Sequence, residues 1–97
     1  MSPENRLIVT RHAGCREWLL RNGIDAPVLE HVARPDQLAG LDVYGVLPLR
    51  LAAYARSYTC IDIPMRPAEL RGQDLSADQM DQYGARMRRF VIEEVTV

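Results

Sequence analysis

Apolar residues in this chain fall in short runs separated by turn-forming residues. Arg6-Leu-Ile-Val-Thr10 is continuously apolar and β-branched at its centre, the pattern of a buried strand. Arg11-His-Ala-Gly14 reads as a turn. A helix is predicted from Cys15 to Asn22, because Cys15, Trp18, Leu19 and Asn22 recur at helical spacing. Gly23 supplies its left-handed stop and Ile24 the apolar residue beyond. Val28 to Val32 predicts a second strand, short or at an edge, and Pro35 to Gly40 a loop. Asp42-Val-Tyr-Gly-Val-Leu47 predicts a third strand. Pro48 follows it and suits a helix start, where its missing N–H would be unpaired anyway. That helix runs to about Ala55, and Ala52, Ala53 and Ala55 allow close packing on a sheet.

Tyr58-Thr-Cys-Ile-Asp-Ile63 predicts a fourth strand, and Pro64 to Leu75 a long connection of the kind that often carries function. Ser76 caps the next helix with Gln79 as its reciprocal partner, and Leu75 and Met80 form a hydrophobic staple. Met80, Tyr83, Gly84 and Met87 are its expected buried stripe, with Gly84 permitting a tight helix–sheet contact. Phe90 to Val97 is expected as a last strand, at an edge. Strands alternating with helices predict an α/β fold with right-handed crossovers. The expectation is a small Rossmann-like three-layer sandwich, a mostly parallel sheet of about five strands, forming a single domain over residues 1–97.

Composition narrows the class. A chain of 97 residues has room for one core. At 47% hydrophobic and 26% charged it is not a disordered segment. No apolar run approaches the ~20 residues of a membrane span, and Met1-Ser-Pro-Glu-Asn-Arg6 lacks a basic stretch followed by an apolar one, so neither a membrane partner nor a signal peptide is expected. Two cysteines without framework spacing fit a reducing compartment, and a cytoplasmic location is expected. A net charge of -1 makes no case for duplex DNA as a partner. The chain contains no lysine: all 12 basic residues are arginine. Genomic base composition is one source of such a bias, but arginine is also the better fork for phosphate, so its placement matters.

In an open α/β sheet, ligands bind beyond the carboxyl ends of the parallel strands. After the first predicted strand come Thr10, Arg11, His12 and Gly14, leading into a helix. After the third come Pro48 and Arg50, and after the fourth Arg66, Glu69, Arg71 and Gly72. Four arginines and one histidine therefore share a rim, with two helix N-termini adding backbone donors. This describes a phosphate-binding surface. Arg50 and Arg66 read equally well as solvated residues; Arg11 and His12 together favour function. His31 reads as packed or solvated, Cys60 as core, and the four tyrosines as mostly core. Cys15 at a helix start is placed to favour its thiolate, but no resolving partner is evident.

Known motifs fit poorly. Cys60 and Arg66 have the C-x5-R spacing of cysteine phosphatases, but Ile63 and Pro64 occupy positions where that cradle needs small residues with free N–H groups. Arg11-His12 after a strand resembles the start of histidine phosphatases, whose chemistry needs a second histidine and further arginines; only His31 is left here, and the chain is much shorter than those enzymes. Two distant histidines and no Cys-x-x-Cys pair offer no transition-metal site. Asp62 and Glu69 could hold magnesium with a substrate phosphate, yet nothing requires it. No Walker loop and no G-x-G-x-x-G occurs, and no cofactor is expected.

The chain does resemble one family in ordered segments: Val9-Thr-Arg-His-x-Gly14 with Glu17-Trp-Leu19, then Gly45-x-Leu-Pro48 with Leu51-Ala-Ala53, then Pro67-Ala-Glu-Leu-Arg-Gly72, Leu75-Ser-Ala-Asp78 and Tyr83-Gly-Ala85. These are similar to a small CRISPR-associated accessory family of the Csx group, which accompanies type III systems. The resemblance implies a Rossmann-like dimer and a ring nuclease that cleaves cyclic tetra-adenylate to switch the response off. On that reading the rim would receive the ring's phosphates. Arg11 and Arg71 would stabilise the charged oxygens, and His12 would move a proton without metal. Thr10, Gly14, Pro48, Arg50, Arg66 and Gly72 are the expected ligand-binding residues. Two alternatives stay open: a protein that sequesters cyclic oligoadenylate without cleaving it, and a structural CRISPR accessory subunit. The apolar tail of Val91, Ile92, Val95 and Val97 points to a homodimer.

Overall fold

A computed structural model describes residues 5–97; Met1 to Glu4, the start of the segment considered for a signal peptide, lie outside the described residues. The first apolar run forms β1 (Arg6–Val9), the centre of the parallel pairing. β1 lies between β2 (Val28–Leu29) and β3 (Asp42–Gly45), parallel to both, and β3 pairs in parallel with β4 (Ser57–Asp62). β5 (Arg86–Phe90) closes the sheet antiparallel to β4, so the order is β2-β1-β3-β4-β5.

Both faces of the sheet are covered, because successive side chains point to opposite sides. Ile8 of β1 and Tyr44 of β3 belong to one buried cluster with Trp18, Leu19, Leu75 and Met80. These last come from α1 (Ala13–Arg21) and from α3 (Ala77–Gln82) with its approach. Leu7, Val9 and Val43 face the other way, packing with Leu38 of a 3₁₀ turn (Pro35–Leu38), Ala55, and Leu51 of α2 (Leu49–Ala52). Trp18 Nε1 donates to Asp81 Oδ1 at 2.7 Å and ties α1 to α3. No helix among the described residues is long and apolar enough to cross a membrane.

Several local expectations hold. Gly23 has φ +83°, and Ile24 N donates back to Leu19 O at 2.9 Å, the six-residue closure of a helix end. Ser76 and Gln79 form the reciprocal capping box. Others need correction. The second strand is two residues long and stops at Leu29. The helix after Pro48 has a single turn, too short to build a macrodipole, so the second helix N-terminus expected at the rim contributes little. α3 ends at Gln82, and Gly84, with φ +77°, breaks it instead of packing it against the sheet. Met87 is therefore not on a helix stripe but on β5, partly exposed. The last strand spans residues 86–90, and the apolar tail beyond it has no regular structure. Tyr54 is exposed where a core position was expected.

The amino end of the sheet holds a buried charge. Asp42 opens β3 fully buried; Arg56 donates to both of its carboxylate oxygens, and Ser57 Oγ (2.6 Å) and Arg89 Nη2 (3.0 Å) donate to Oδ1. The Arg56 hydrogen bonds hold this carboxyl far below the usual carboxylate range, helped by Ser57 and Arg89 and opposed by burial. One residue thereby links β3 to both strands that follow it on that side of the sheet.

Candidate functional site

The opposite, carboxyl end of the parallel strands carries the candidate site. Thr10 ends β1 buried, and its Oγ1 accepts from His12 N at 3.2 Å, which fixes the turn into α1. His12 occupies the N-cap position of α1 with extended backbone and no capping bond from its own side chain. The ring is free to face elsewhere: His12 Nδ1 lies 2.6 Å from Asp74 Oδ1.

Gly14 explains how Asp74 arrives there. A Cβ on Gly14 would lie 1.9 Å from Leu75 O, so only glycine lets the backbone ahead of α3 rest on the first turn of α1. Leu75 is pinned by this contact and by the core, and Asp74, one residue earlier, meets His12. Gly14 thus shapes the site through packing. A carboxylate accepting the Nδ1 proton fixes the ring and leaves Nε2 as its other, proton-accepting nitrogen. Both side chains are at least half exposed, so the contact orients the histidine more than it stabilises the fold.

Two cavities border His12, and Val46 at the end of β3 lines both. One, about 340 Å³, brings together Thr10, Arg11, His12, Pro48 and Arg50, all expected at the rim, and adds His31. Arg11 Nε donates to Glu30 O at 3.4 Å, which directs its guanidinium across the end of β2. The other, about 360 Å³, is lined by His12, Arg66 and Gly72 together with Cys60, Gln73 and Asp74. The Arg66 Nε atom itself is shielded from solvent and has no hydrogen-bond partner among the described residues. Arg71 lines neither cavity and lies exposed beyond the 3₁₀ turn Ala68–Leu70.

Gly45 and Tyr58 keep this end of the sheet in shape. Gly45 has φ +125°, and a Cβ there would meet Val9 O at 2.1 Å, so β1 and β3 approach where a side chain could not fit. Tyr58 Oη donates to Gly45 O at 2.8 Å and accepts from Leu47 N at 3.1 Å; burial is the main cause raising its phenol above the ordinary value. Cys15 corrects another expectation. It is buried, and burial pushes its thiol up, opposed by a hydrogen bond with Thr10. The helix start does not make it a reactive thiolate.

Sequence reasoning missed Asp74 and gave His31 little weight. The signal for Asp74 was faint: an acidic residue in the long connection just ahead of the Ser76 cap. For His31 it was the position after the second strand, on the same rim as Arg11. Of the carboxylates weighed for magnesium, Asp62 is paired with Arg86 at 3.1 Å. Among the described residues no three His, Cys, Asp or Glu side chains converge as a metal-binding group.

The model of a family described as "Putative CRISPR-associated protein (Cas_VVA1548)" matches residues 7–93. No curated protein and no solved structure matches the chain.

Proposed function

The chain belongs to this CRISPR-associated protein family, and on that premise we propose that it is a ring nuclease of type III CRISPR systems, cleaving cyclic oligoadenylate, with cyclic tetra-adenylate as the expected ring, to linear products. The observation that carries the reading is His12, held by Asp74 at 2.6 Å between two cavities that both contain arginine. The resemblance to the Csx group supplies the substrate; His12 and the arginines supply the chemistry for it. The fold is read as a small Rossmann-like sandwich with its ligand at the carboxyl edge of the sheet.

The reaction needs no metal. A ribose 2′-hydroxyl attacks the adjacent phosphorus in line. The new bond joins that oxygen to phosphorus as the bond to the 5′-oxygen breaks and its electron pair leaves with that oxygen. His12 Nε2 takes the hydroxyl proton, and the departing 5′-oxygen takes up a proton from water. The product ends in a 2′,3′-cyclic phosphate. Arg11, Arg50 and Arg66 hold the phosphate oxygens, and the backbone N–H groups at the start of α1 add donors for the developing charge. Arg71 acts from the rim, on the part of the ring that lies outside the cavities.

The chain is expected to act as a homodimer. β5 is an edge strand, and Met87, Phe90 and Val91 are exposed on or beside it. An unpaired strand edge with exposed apolar residues favours a second copy of the chain. Incubating purified protein with cyclic tetra-adenylate, with and without EDTA, tests the function. Linear products in both conditions are expected. A bound but intact ring would indicate sequestration, no binding would leave a structural subunit, and cleavage abolished by EDTA but restored by magnesium would remove His12 from the centre of the mechanism.

A further inference from the structure

Two cavities lie beside His12. At about 360 and 340 Å³ they sit at the small end of the roughly 300–1,000 Å³ range of ligand pockets. They share His12 and Val46 and otherwise draw on different elements. The cavity between β4 and α3 has apolar walls from Cys60, Ile61, Ile63 and Met80, and contains Arg66. Arg66 lines this cavity, and a planar guanidinium offers paired N–H donors that match the oxygens of a phosphate. The cavity between β2 and α2 has its own wall from Val32, Leu47 and Leu51, with Arg11 and Arg50. The same parts, an apolar wall and arginine donors, thus occur on both sides of one histidine.

We infer that each chain binds two consecutive nucleotides of one strand, one in each cavity, with the phosphodiester that joins them over His12. The identity of the strand as oligoadenylate rests on the ring-nuclease reading; the two-subsite arrangement rests on the cavities. The arrangement assigns Arg66 to one nucleotide and Arg50 to its neighbour, and places the attacking ribose and the leaving nucleotide in different cavities.

The test has two arms. In the first, ¹⁵N-labelled wild-type protein is titrated with AMP. The amides of Gly72 and Gln73 beside one cavity and of Val32 and Leu51 beside the other should both shift. In the second, affinity for cyclic tetra-adenylate is measured for Arg66→Met, Arg66→Lys and Arg50→Met, each checked for a wild-type-like amide spectrum. Either methionine variant should weaken binding about ten- to a hundredfold, as expected for a lost charged hydrogen bond. Arg66→Lys, which keeps the charge and loses the fork, should recover only part of the loss. AMP shifting one set of amides or neither, or ring affinity unchanged in one of the methionine variants, would overturn the two-subsite inference even if the ring is cleaved. AMP shifting both sets while the ring fails to bind would uphold the two subsites and refute the oligoadenylate reading.

Discussion

Replacing Asp42 by asparagine tests the most completely bonded charge in the molecule. The carboxylate is fully buried and accepts from Arg56, Ser57 and Arg89. The amide keeps the volume but turns one acceptor into a donor that faces donors. Breaking a buried pair by removing one partner costs about 3–5 kcal/mol. Arg56 and Arg89 are 46% and 48% exposed, so water recovers part of their solvation, and the lower end, about 3 kcal/mol, is expected. For a domain near 100 residues each kcal/mol moves Tm by ~4–8 °C, so thermal unfolding followed by circular dichroism at pH 7 should show a drop of roughly 12–24 °C. The pH dependence has a definite sign. The folded carboxyl titrates below its unfolded value of about 3.9. Its contribution is therefore complete above that value and is lost as pH falls through it toward the folded one. The gap between wild type and Asp42→Asn should hold from neutral pH down to about pH 5 and narrow below about pH 4. A Tm within ~4 °C of wild type at pH 7, less than the shift for 1 kcal/mol, or a gap that does not narrow in acid, would refute the reasoning.

Three further outcomes follow from the candidate site and the sheet edge. His12→Ala should slow single-turnover ring cleavage by roughly 10²–10⁴-fold with affinity nearly unchanged, while Arg11→Ala should weaken binding by about 1.5–3 kcal/mol; equal losses of affinity and stability in His12→Ala would make that residue a structural turn element. Gly14→Ala should destabilise by about 1–3 kcal/mol, as overpacking does, because its Cβ would meet Leu75 O at 1.9 Å; since this displaces Asp74, cleavage at saturating protein should fall as well, and unchanged stability by urea titration would contradict the close contact. Phe90→Glu, at an exposed position of the edge strand, should convert a dimer to a monomer in sedimentation experiments, and a wild-type chain that stays at 11.0 kDa across micromolar concentrations would remove the dimer.

Local pattern carried much of the architecture. The apolar run at Arg6–Val9, the helical spacing of Cys15, Trp18 and Leu19, the Gly23 stop and the Ser76–Gln79 box depend on neighbours within a few residues, so the chain itself displays them. Strands alternating with helices also implied a parallel sheet, and hence a rim where Thr10, Arg11, His12, Arg50 and Arg66 emerge. Where a pattern depends on what covers a surface, the local signal misled. Met80, Tyr83 and Met87 keep helical spacing past the point where Gly84, at positive φ, ends the helix. Arg86, Arg88 and Arg89 hide a strand that tolerates charge because it lies at a sheet edge in contact with solvent. Partners distant in the chain could not be read at all. Asp74 reaches His12 because Gly14 lets the backbone of Leu75 rest on α1, and Asp42 gathers Arg56 and Arg89 because β3, β4 and β5 lie side by side. The sequence by itself determined where β1, α1, β3, β4 and the start of α3 fall, and that Arg11, His12, Arg50 and Arg66 collect at the rim, since backbone preference and burial periodicity act over a few residues. Only the tertiary structure decided which nitrogen of His12 is held, which arginines face which cavity and which carboxylate is buried, because those depend on contacts between segments that no local pattern encodes.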